Sequence, residues 1–518
     1  MRQLTQVVIG WALSAALLAV SPARSQSAPA VVTVRIDATK TYQTIANFAA
    51  SDAWAGQFVG NWPAAKKEAI ADLLFSTEAR LSGQPKGIGL SLWRVNLGAG
   101  SAEQGEASGI KDEWRRAESF LTPAGTYDWN RLAGQRWLME AARQRGVTQF
   151  LGFLNSPPVS LTRNGKAYAT AKQPNLAPEK FAALADYCAR VLEGVRQKTG
   201  ITFAYLSPVN EPQWDWSDGG QEGTPFQNED ITSISKALST SLVKAKLSTQ
   251  LLVAEAGKLD YLFITADKPG RGDQIAAFFG DKAAPTYLGG TPRVAPIMAG
   301  HSYFTTSPQA QAVATRQQLA ARMASVPKLN FWQSEYCILG DNAGEINGGP
   351  RDLGMAPALY LARVIHTDLA VANAAAWQWW LAISPYDYKD GLVYIDKNKT
   401  DGNFYPSKML WALGNYSRFV RPGAVRVAAQ LDGAPASPGA PLVSAYRSAN
   451  GRQLITVVVN DADAATDLRL ALAGRRLGAS QPFTTSATGD LQPGPAVPAG
   501  AVLHVGPRSI TTLVSELR

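Results

Sequence analysis

Apolar residues along this chain follow two regimes, and the change between them comes near residue 421. From about Ile45 onward, short apolar runs alternate with longer stretches of helical periodicity, the mark of a β/α repeat around a parallel sheet. The runs end at Ala50 (I-A-N-F-A-A), Asn96 (L-S-L-W-R-V-N), Asn155 (Q-F-L-G-F-L-N) and Asn210 (F-A-Y-L, then S-P-V-N). Further ones end at Glu255 (L-L-V-A-E), Tyr303 (I-M-A-G-H-S-Y), Glu335 (K-L-N-F-W-Q-S-E) and around Trp380 (A-A-A-W-Q-W-W). That makes eight, the number that closes a (β/α)8 TIM barrel over 45–420. The segment exceeds the ~250 residues usual for that fold, so some loops must be long. Gly98 to Thr126 and Trp216 to Asp230 are the expected ones.

After Arg421-Pro422-Gly423 the pattern shortens to strands and turns. P-L-V-S-A-Y-R-S leads through a turn at Ala449-Asn450-Gly451 to Q-L-I-T-V-V-V-N, and S-I-T-T-L-V-S-E-L closes the chain. This predicts an antiparallel β-sandwich over 421–518. Val31 to Ile36 alternates like a half-buried strand, so 26–44 is expected to join that sandwich. Residues 1–25 read as a signal peptide: Arg2 is positive, Val7 to Val20 are almost wholly apolar, and Ala23-Arg24-Ser25 is a small-x-small cleavage site. The mature protein is expected in the periplasm or secreted, with no membrane span after signal removal.

Composition narrows the chemistry. With 46% apolar and 18% charged residues, the 518-residue chain is a large globular protein. Its net charge of +9 is scattered, with no basic run of the kind that binds nucleic acid. Its two cysteines, Cys188 and Cys337, are expected as buried free thiols. Three distant histidines with two cysteines make no zinc site, and there is no Walker loop, dinucleotide fingerprint or G-x-S-x-G elbow. What remains is a metal-independent, cofactor-free hydrolase, expected to act as a monomer.

The strand ends carry polar and aromatic residues, at the face where barrel active sites are built. Glu211, in S-P-V-N-E-P-Q-W-D-W, has Asn210 before it and Trp214 and Trp216 behind it. An acid beside an amide and flat aromatic faces is what sugar cleavage needs. Its partner would be Glu335, across the barrel mouth. At ~5–5.5 Å one carboxylate attacks the anomeric carbon while the other protonates the leaving oxygen. Glu335 would be the nucleophile and Glu211 the general acid and base. Glu255 is a rival acid, otherwise a group of the rim or the layer behind it. Arg94, in W-R-V-N, is either a site residue or a structural ion-pair partner; His301 and Tyr303 alternate and can both face the mouth. Trp54, Trp214 and Trp216 lie in loops as candidate sugar platforms, while Trp377 and Trp379 share one strand face and Gln378 and Trp380 the other. Alternation leaves open which face points inward.

In this order the motifs resemble glycoside hydrolase family 30 over nearly the whole mature chain. They are N-F-A-A-S-D-A-W, W-R-V-N-L-G, F-L-N-S-P-P-V-S-L-T-R-N-G, L-S-P-V-N-E-P-Q-W-D-W, G-H-S-Y, W-Q-S-E-Y and A-W-Q-W-W-L-A. The resemblance implies a (β/α)8 barrel fused to a β-sandwich and retention of anomeric configuration. It puts the acid/base on Glu211, the nucleophile on Glu335, and Asn155, His301, Tyr303 and Trp380 around the scissile bond. Asp52 and Trp54 of the first motif, with Arg94, Asn210 and Trp214, complete the expected substrate contacts. The segments E-W-R-R-A-E-S-F, N-E-P-Q-W-D-W and Q-E-G-T-P-F-Q-N-E-D resemble the endo-β-1,6-galactanase branch, which cuts galactan side chains of arabinogalactan. A β-1,6-glucanase, another family 30 activity on fucose, xylan or galactose, and a non-catalytic carbohydrate-binding protein stand as alternatives.

Overall fold

Eight parallel strands close on themselves in the computed structural model, which describes residues 31–217, 219–432 and 439–518. The signal peptide expected over 1–25 lies outside the described residues. Strand β1 (Val32–Thr44) belongs to the second sheet. The barrel runs from β2 (Asn47–Ser51) through β3 (Leu92–Asn96), β4 (Gln149–Phe153), β5 (Tyr205–Ser207) and β6 (Gln250–Ala256) to β7 (Val294–His301), β8 (Asn330–Glu335) and β9 (Ala376–Ser384). Strand β9 pairs with both β8 and β2, which closes the ring. Every residue of β2, β3 and β9 is buried, as expected of parallel strands covered outside by helices.

The strand ends differ in detail from the sequence reading. F-A-Y-L was expected as a strand, but β5 starts at Tyr205 and stops at Ser207. Pro208 follows directly, and a residue without an amide hydrogen cannot continue the ladder. Asn155, Asn210 and Tyr303 therefore sit two or three residues beyond their strands rather than at the tips. Strand β9 runs on past Trp380, and its far end pairs with β10 (Gly391–Ile395), itself antiparallel to β11 (Phe404–Pro406).

The expected long loop from Gly98 to Thr126 contains three short helical turns, Ser101–Gln104, Gly105–Ser108 and Glu113–Arg115. Buried Glu222 pins it from the other expected loop, accepting from Ser101 Oγ at 2.6 Å and the Ala99 amide at 3.0 Å. That second loop ends sooner than Asp230. The helix Asn228–Lys244 begins there with a capping box between Gln227 and Asp230.

Nine strands form the second sheet: β1 with β12 (Val425–Leu431), β13 (Leu442–Arg447), β14 (Gln453–Asn460), β15 (Thr466–Leu472), β16 (Leu477–Thr485), β17 (Gln492–Pro493), β18 (Leu503–Val505) and β19 (Ser509–Leu517). Strand β1 is twice as long as the six residues V-V-T-V-R-I suggest and lies between β12 and β15. All pairings are antiparallel except β1 with β15. The sheet folds over, so Leu468 and Leu503 from one end share a core with Leu454, Val458 and Leu513 from the other. Strand β14 is buried on both faces. Leu454 and Val458 point into that core, while Ile455, Val457 and Val459 join the barrel's. Between the domains Asn415 Nδ2, on the helix Lys408–Ser417, donates to Thr512 Oγ1 at 3.0 Å, and Thr512 Oγ1 donates back to the Asn415 carbonyl at 2.7 Å. Cys188 and Cys337 are buried and form no disulfide. Among the described residues no helix is long and apolar enough to cross a membrane.

Candidate active site

At the C-terminal ends of the barrel strands lies an open cleft of about 1020 Å³. Glu211 and Glu335 both line it, and a carboxylate oxygen of one lies within 4.8 Å of one from the other. Each is held differently. Glu335 ends β8, and its Oε2 accepts from Arg94 Nη1 at 2.5 Å while Oε1 accepts from the Tyr303 hydroxyl at 3.0 Å. Arg94 is fully buried on β3, its guanidinium carbon 3.8 Å from the centre of the Phe153 ring. A cation and a phenol thus fix the Glu335 carboxyl group in place, with one hydrogen bond on each oxygen.

Glu211 sits four residues past β5 with φ of 44°, and its amide donates to the Glu255 carbonyl at 2.9 Å. A non-glycine residue in the left-handed region is kept there only when its surroundings fix it. Burial, reinforced by the charge of Glu335, raises the Glu211 pKa, while His301 and Arg94 pull against that rise. His301 Nδ1 reaches Glu211 Oε1 at 2.8 Å. Among the described residues no donor reaches the other oxygen, Oε2, which leaves it for a proton.

Beneath this pair lies Glu255, which is neither a rim group nor in the cleft. It is fully buried because β6 turns it inward, between Ser207 and Ser334. Its Oε2 accepts from His301 Nε2 at 3.1 Å and from Ser334 Oγ at 2.5 Å, and its Oε1 from Ser207 Oγ. Burial opposes its charge, but His301, Arg94 and Ser207 overcome that and hold its pKa at about 2. Burial also opposes the charge on His301, yet Glu335, Glu211 and Glu255 raise its pKa to about 10. His301 is therefore a buried cation that donates from both ring nitrogens, not a packed neutral imidazole.

The remaining predicted residues divide into wall and underlayer. Trp54, Trp214, Trp380, Tyr303 and Asn210 line the cleft. Trp54 meets Trp380 edge-on at 5.3 Å, and Trp214 packs edge-on against Tyr261 at 6.0 Å. Trp216 also lines the cleft, its Nε1 donating to the Glu211 carbonyl at 3.0 Å. Arg94, His301, Asp52 and Asn155 stand behind this wall. Asp52 Oδ1 accepts from the Asn96 amide at 2.8 Å, and burial raises its pKa to about 8. Asn155 is buried with both side-chain amide atoms lacking a protein partner. On β9 Trp380 faces the cleft, while Trp377 and Trp379 point outward, their indole nitrogens donating to Asp368 Oδ2 at 2.9 Å and the Asp390 carbonyl at 2.7 Å.

Sequence reasoning missed Arg115, Tyr386 and Asp390, which also line the cleft. Arg115 lies 4.9 Å from the Trp54 ring centre and 5.3 Å from that of Tyr386, and burial raises Asp390 to about 7. All are in loops, where periodicity carries no signal; the hints are E-W-R-R-A-E-S-F, which holds Arg115, and the aromatic-rich S-P-Y-D-Y at the end of β9, which holds Tyr386. Glu211, His301 and Glu335 also offer three metal-ligand atoms within 4.8 Å of one another. The ring nitrogens and both Glu335 oxygens are already engaged in hydrogen bonds, one of them from Arg94 and two made by the His301 ring itself. A cationic neighbourhood disfavours a second cation, so the trio suits proton chemistry better than metal binding.

Comparison with known proteins bears on the fold and the family. A crystal structure of a conserved exported protein from Bacteroides fragilis superposes with a TM-score of 0.85 at 32% identity, over 93% of this chain and 100% of that one. An endo-beta-1,6-galactanase from Hypocrea rufa is 24% identical over 487 residues, covering 90% of this chain and 89% of that protein. The catalytic domain of GH30 xylanase C from Talaromyces cellulolyticus shares the fold, with a TM-score of 0.66 at 21% identity over 93% of this chain and 99% of that one. The sequence model of O-glycosyl hydrolase family 30 matches residues 31–394, well over half of the chain. The chain belongs to glycoside hydrolase family 30 and is an O-glycosyl hydrolase acting on carbohydrate.

Proposed function

We propose that this enzyme is a retaining endo-β-1,6-galactanase that cuts the β-1,6-galactan side chains of arabinogalactan. The observation that carries the mechanism is the approach of Glu211 and Glu335 to within 4.8 Å between oxygens. Inverting enzymes keep their carboxylates about 6.5–9.5 Å apart to seat a water, and the closer approach of these two supports retention. In the first step the Glu335 carboxylate bonds to the anomeric carbon as the glycosidic bond breaks, and the leaving oxygen takes the proton of Glu211. In the second, the Glu211 carboxylate takes a proton from water, whose oxygen bonds to the same carbon and releases Glu335. Loss of the Glu335 charge on glycosylation lowers the Glu211 pKa, which suits its change from acid to base.

The galactan reading draws on the activity named for the Hypocrea rufa relative and on the resemblance of N-E-P-Q-W-D-W to that branch of the family. An internal cut suits a cleft that is open and as large as the upper end of the usual ~300–1,000 Å³ range for ligand sites. Trp54, Trp214 and Trp216 line it and are the sugar platforms of this reading. Export by the residue 1–25 segment and action as a monomer belong to the same proposal.

Side-by-side digestion of β-1,6-galactan, β-1,6-glucan and glucuronoxylan tests specificity, with short galacto-oligosaccharides expected from the first alone. Glucan cleaved faster than galactan would replace the substrate reading. Glu335→Ala tests the mechanism independently. It should lose ~10³-fold or more in kcat, and azide should restore turnover as a glycosyl azide of inverted configuration. Unimpaired hydrolysis by that variant would remove Glu335 from the reaction.

A further inference from the structure

A second groove, of about 610 Å³, lies between the barrel and the sheet domain. Thr77 on its wall follows the helix Ala64–Phe75 and leads towards β3; Gly146 follows the helix Ala133–Gln144 and leads towards β4. Helix-to-strand turns lie at the N-terminal ends of barrel strands, so this groove opens on the face away from Glu211 and Glu335. The sheet domain supplies the facing wall through Gln453, Phe483 and Val514.

The charge of the groove is one-sided. Three arginines line it, Arg145, Arg418 and Arg421, and no carboxylate does. Arg145 is neutralised by Glu68 and Asp72, each at 2.7 Å. Arg418 and Arg421 pair with no carboxylate among the described residues. Arg418 donates to the Ser76 carbonyl at 3.2 Å, and Arg421 donates to the carbonyls of Ser417, at 2.7 Å, and of Gly89. Carbonyls fix a guanidinium in place but leave its charge standing. Both side chains cross Gly89, where an added Cβ would lie 3.2 Å from Arg421 Nη1 and 3.7 Å from Arg418 Cδ. Two like charges held side by side and half-buried are unfavourable until an anion completes them.

Next to the cations stand two half-buried rings, Phe419 and Phe483, with centres 4.7 Å apart. A simple anion has no use for these rings, and a neutral sugar has none for the charges. A uronate uses both, through a carboxylate that a guanidinium can grip and a ring face that stacks on an aromatic. We propose that this groove is a second carbohydrate site, taking a uronate-bearing oligosaccharide with its carboxylate between Arg418 and Arg421 and its ring against Phe419 and Phe483. An enzyme that cuts a polymer gains effective concentration from a second contact on the same molecule.

Calorimetric titration of the full chain with a galacturonate trisaccharide, neutral galactotriose and sodium sulfate tests the site without requiring turnover. Because Arg418→Met and Arg421→Met also remove hydrogen bonds to barrel carbonyls, the decisive variant is Gln453→Glu. It leaves those bonds in place and puts a carboxylate on the exposed wall of the groove. The trisaccharide should bind the unmodified chain and bind Gln453→Glu about tenfold more weakly, as loss of a charge-assisted contact predicts. The unfolding temperature and hydrolysis of a small aryl glycoside should stay unchanged. Equal binding by the variant, or no binding by the unmodified chain, overturns the proposal. Sulfate binding as tightly as the trisaccharide also overturns it, since the groove would then hold an adventitious ion only.

Discussion

Two glutamates grip the same imidazole, Glu211 through Nδ1 of His301 at 2.8 Å and Glu255 through Nε2 at 3.1 Å. Arg94 and the carboxylate of Glu335 face the same group, with Tyr303, Ser207 and Ser334 as neutral donors around it. Glu255 never reaches the cleft, so its effect on Glu211 travels through the charge of His301. Replacing Glu255 by Gln keeps shape and an acceptor but removes an anion that raises His301. His301 then loses its proton more readily, and a neutral imidazole stabilises the Glu211 carboxylate less. The Glu211 pKa rises further, and the acid form needed for the first step survives to higher pH. The alkaline limb of kcat/KM should therefore move upward by about one pH unit in Glu255→Gln. A lower rate with an unmoved limb would reduce Glu255 to a packing role.

Between elements, the best-supported joint is one that sequence spacing hides. Arg316, on the helix Gln309–Ala324, donates through Nε to Asp368 Oδ1 at 2.8 Å, on the helix Met355–Ala370. Asp368 Oδ2 accepts from Trp377 Nε1 of β9 at 2.9 Å and from Ser302 Oγ, just past β7, at 3.0 Å. Both charged side chains are fully buried, so removing one leaves the other uncompensated. Arg316→Leu should cost about 3–5 kcal/mol in urea unfolding. A joint Arg316→Leu, Asp368→Asn change should cost less than the sum of the two, because neither charge is then stranded. The barrel itself was legible, since fully buried parallel strands write themselves as apolar runs, and so was the meeting of Glu211 and Glu335 in one cleft. The orientation of β9 was not. Alternation separates Trp377 from Trp380 but only Asp368, distant in sequence, tells which tryptophan faces outward. The same limit hid Arg115 and Asp390, which reach the cleft from loops without periodicity. It also left Glu255 between rim and interior, because a strand end looks alike in sequence whether its last side chain meets solvent or two serines.

Over the whole molecule the buried titratable groups set how stability varies with pH. Asp52, Glu222 and Asp390 are raised by burial, from 3.8, 4.5 and 3.8 to about 8, 7 and 7. Between those limits the folded chain binds more protons than the unfolded one, so each contributes stability present at low pH and lost as pH rises through 7 to 8. His301 acts in the same direction. Raised from 6.5 to about 10, it contributes stability that is full below 6.5 and lost as pH climbs through 10. Two groups oppose them from the acid side. Glu255, held at about 2, contributes stability that is present above 4.5 and lost as pH falls through 2. His366, which burial and then Arg426 depress from 6.5 to about 4, loses its contribution as pH falls through 4. The two sets cross near about pH 4, so the unfolding temperature should peak there and fall from about pH 5 to 9. Asp52→Asn mimics the protonated carboxyl already present in the folded state, and should flatten that fall while leaving the acid side unchanged. Calorimetric scans across the range decide the matter. An unfolding temperature that rises from pH 5 to 9 would mean that these acids are ionised in the folded chain.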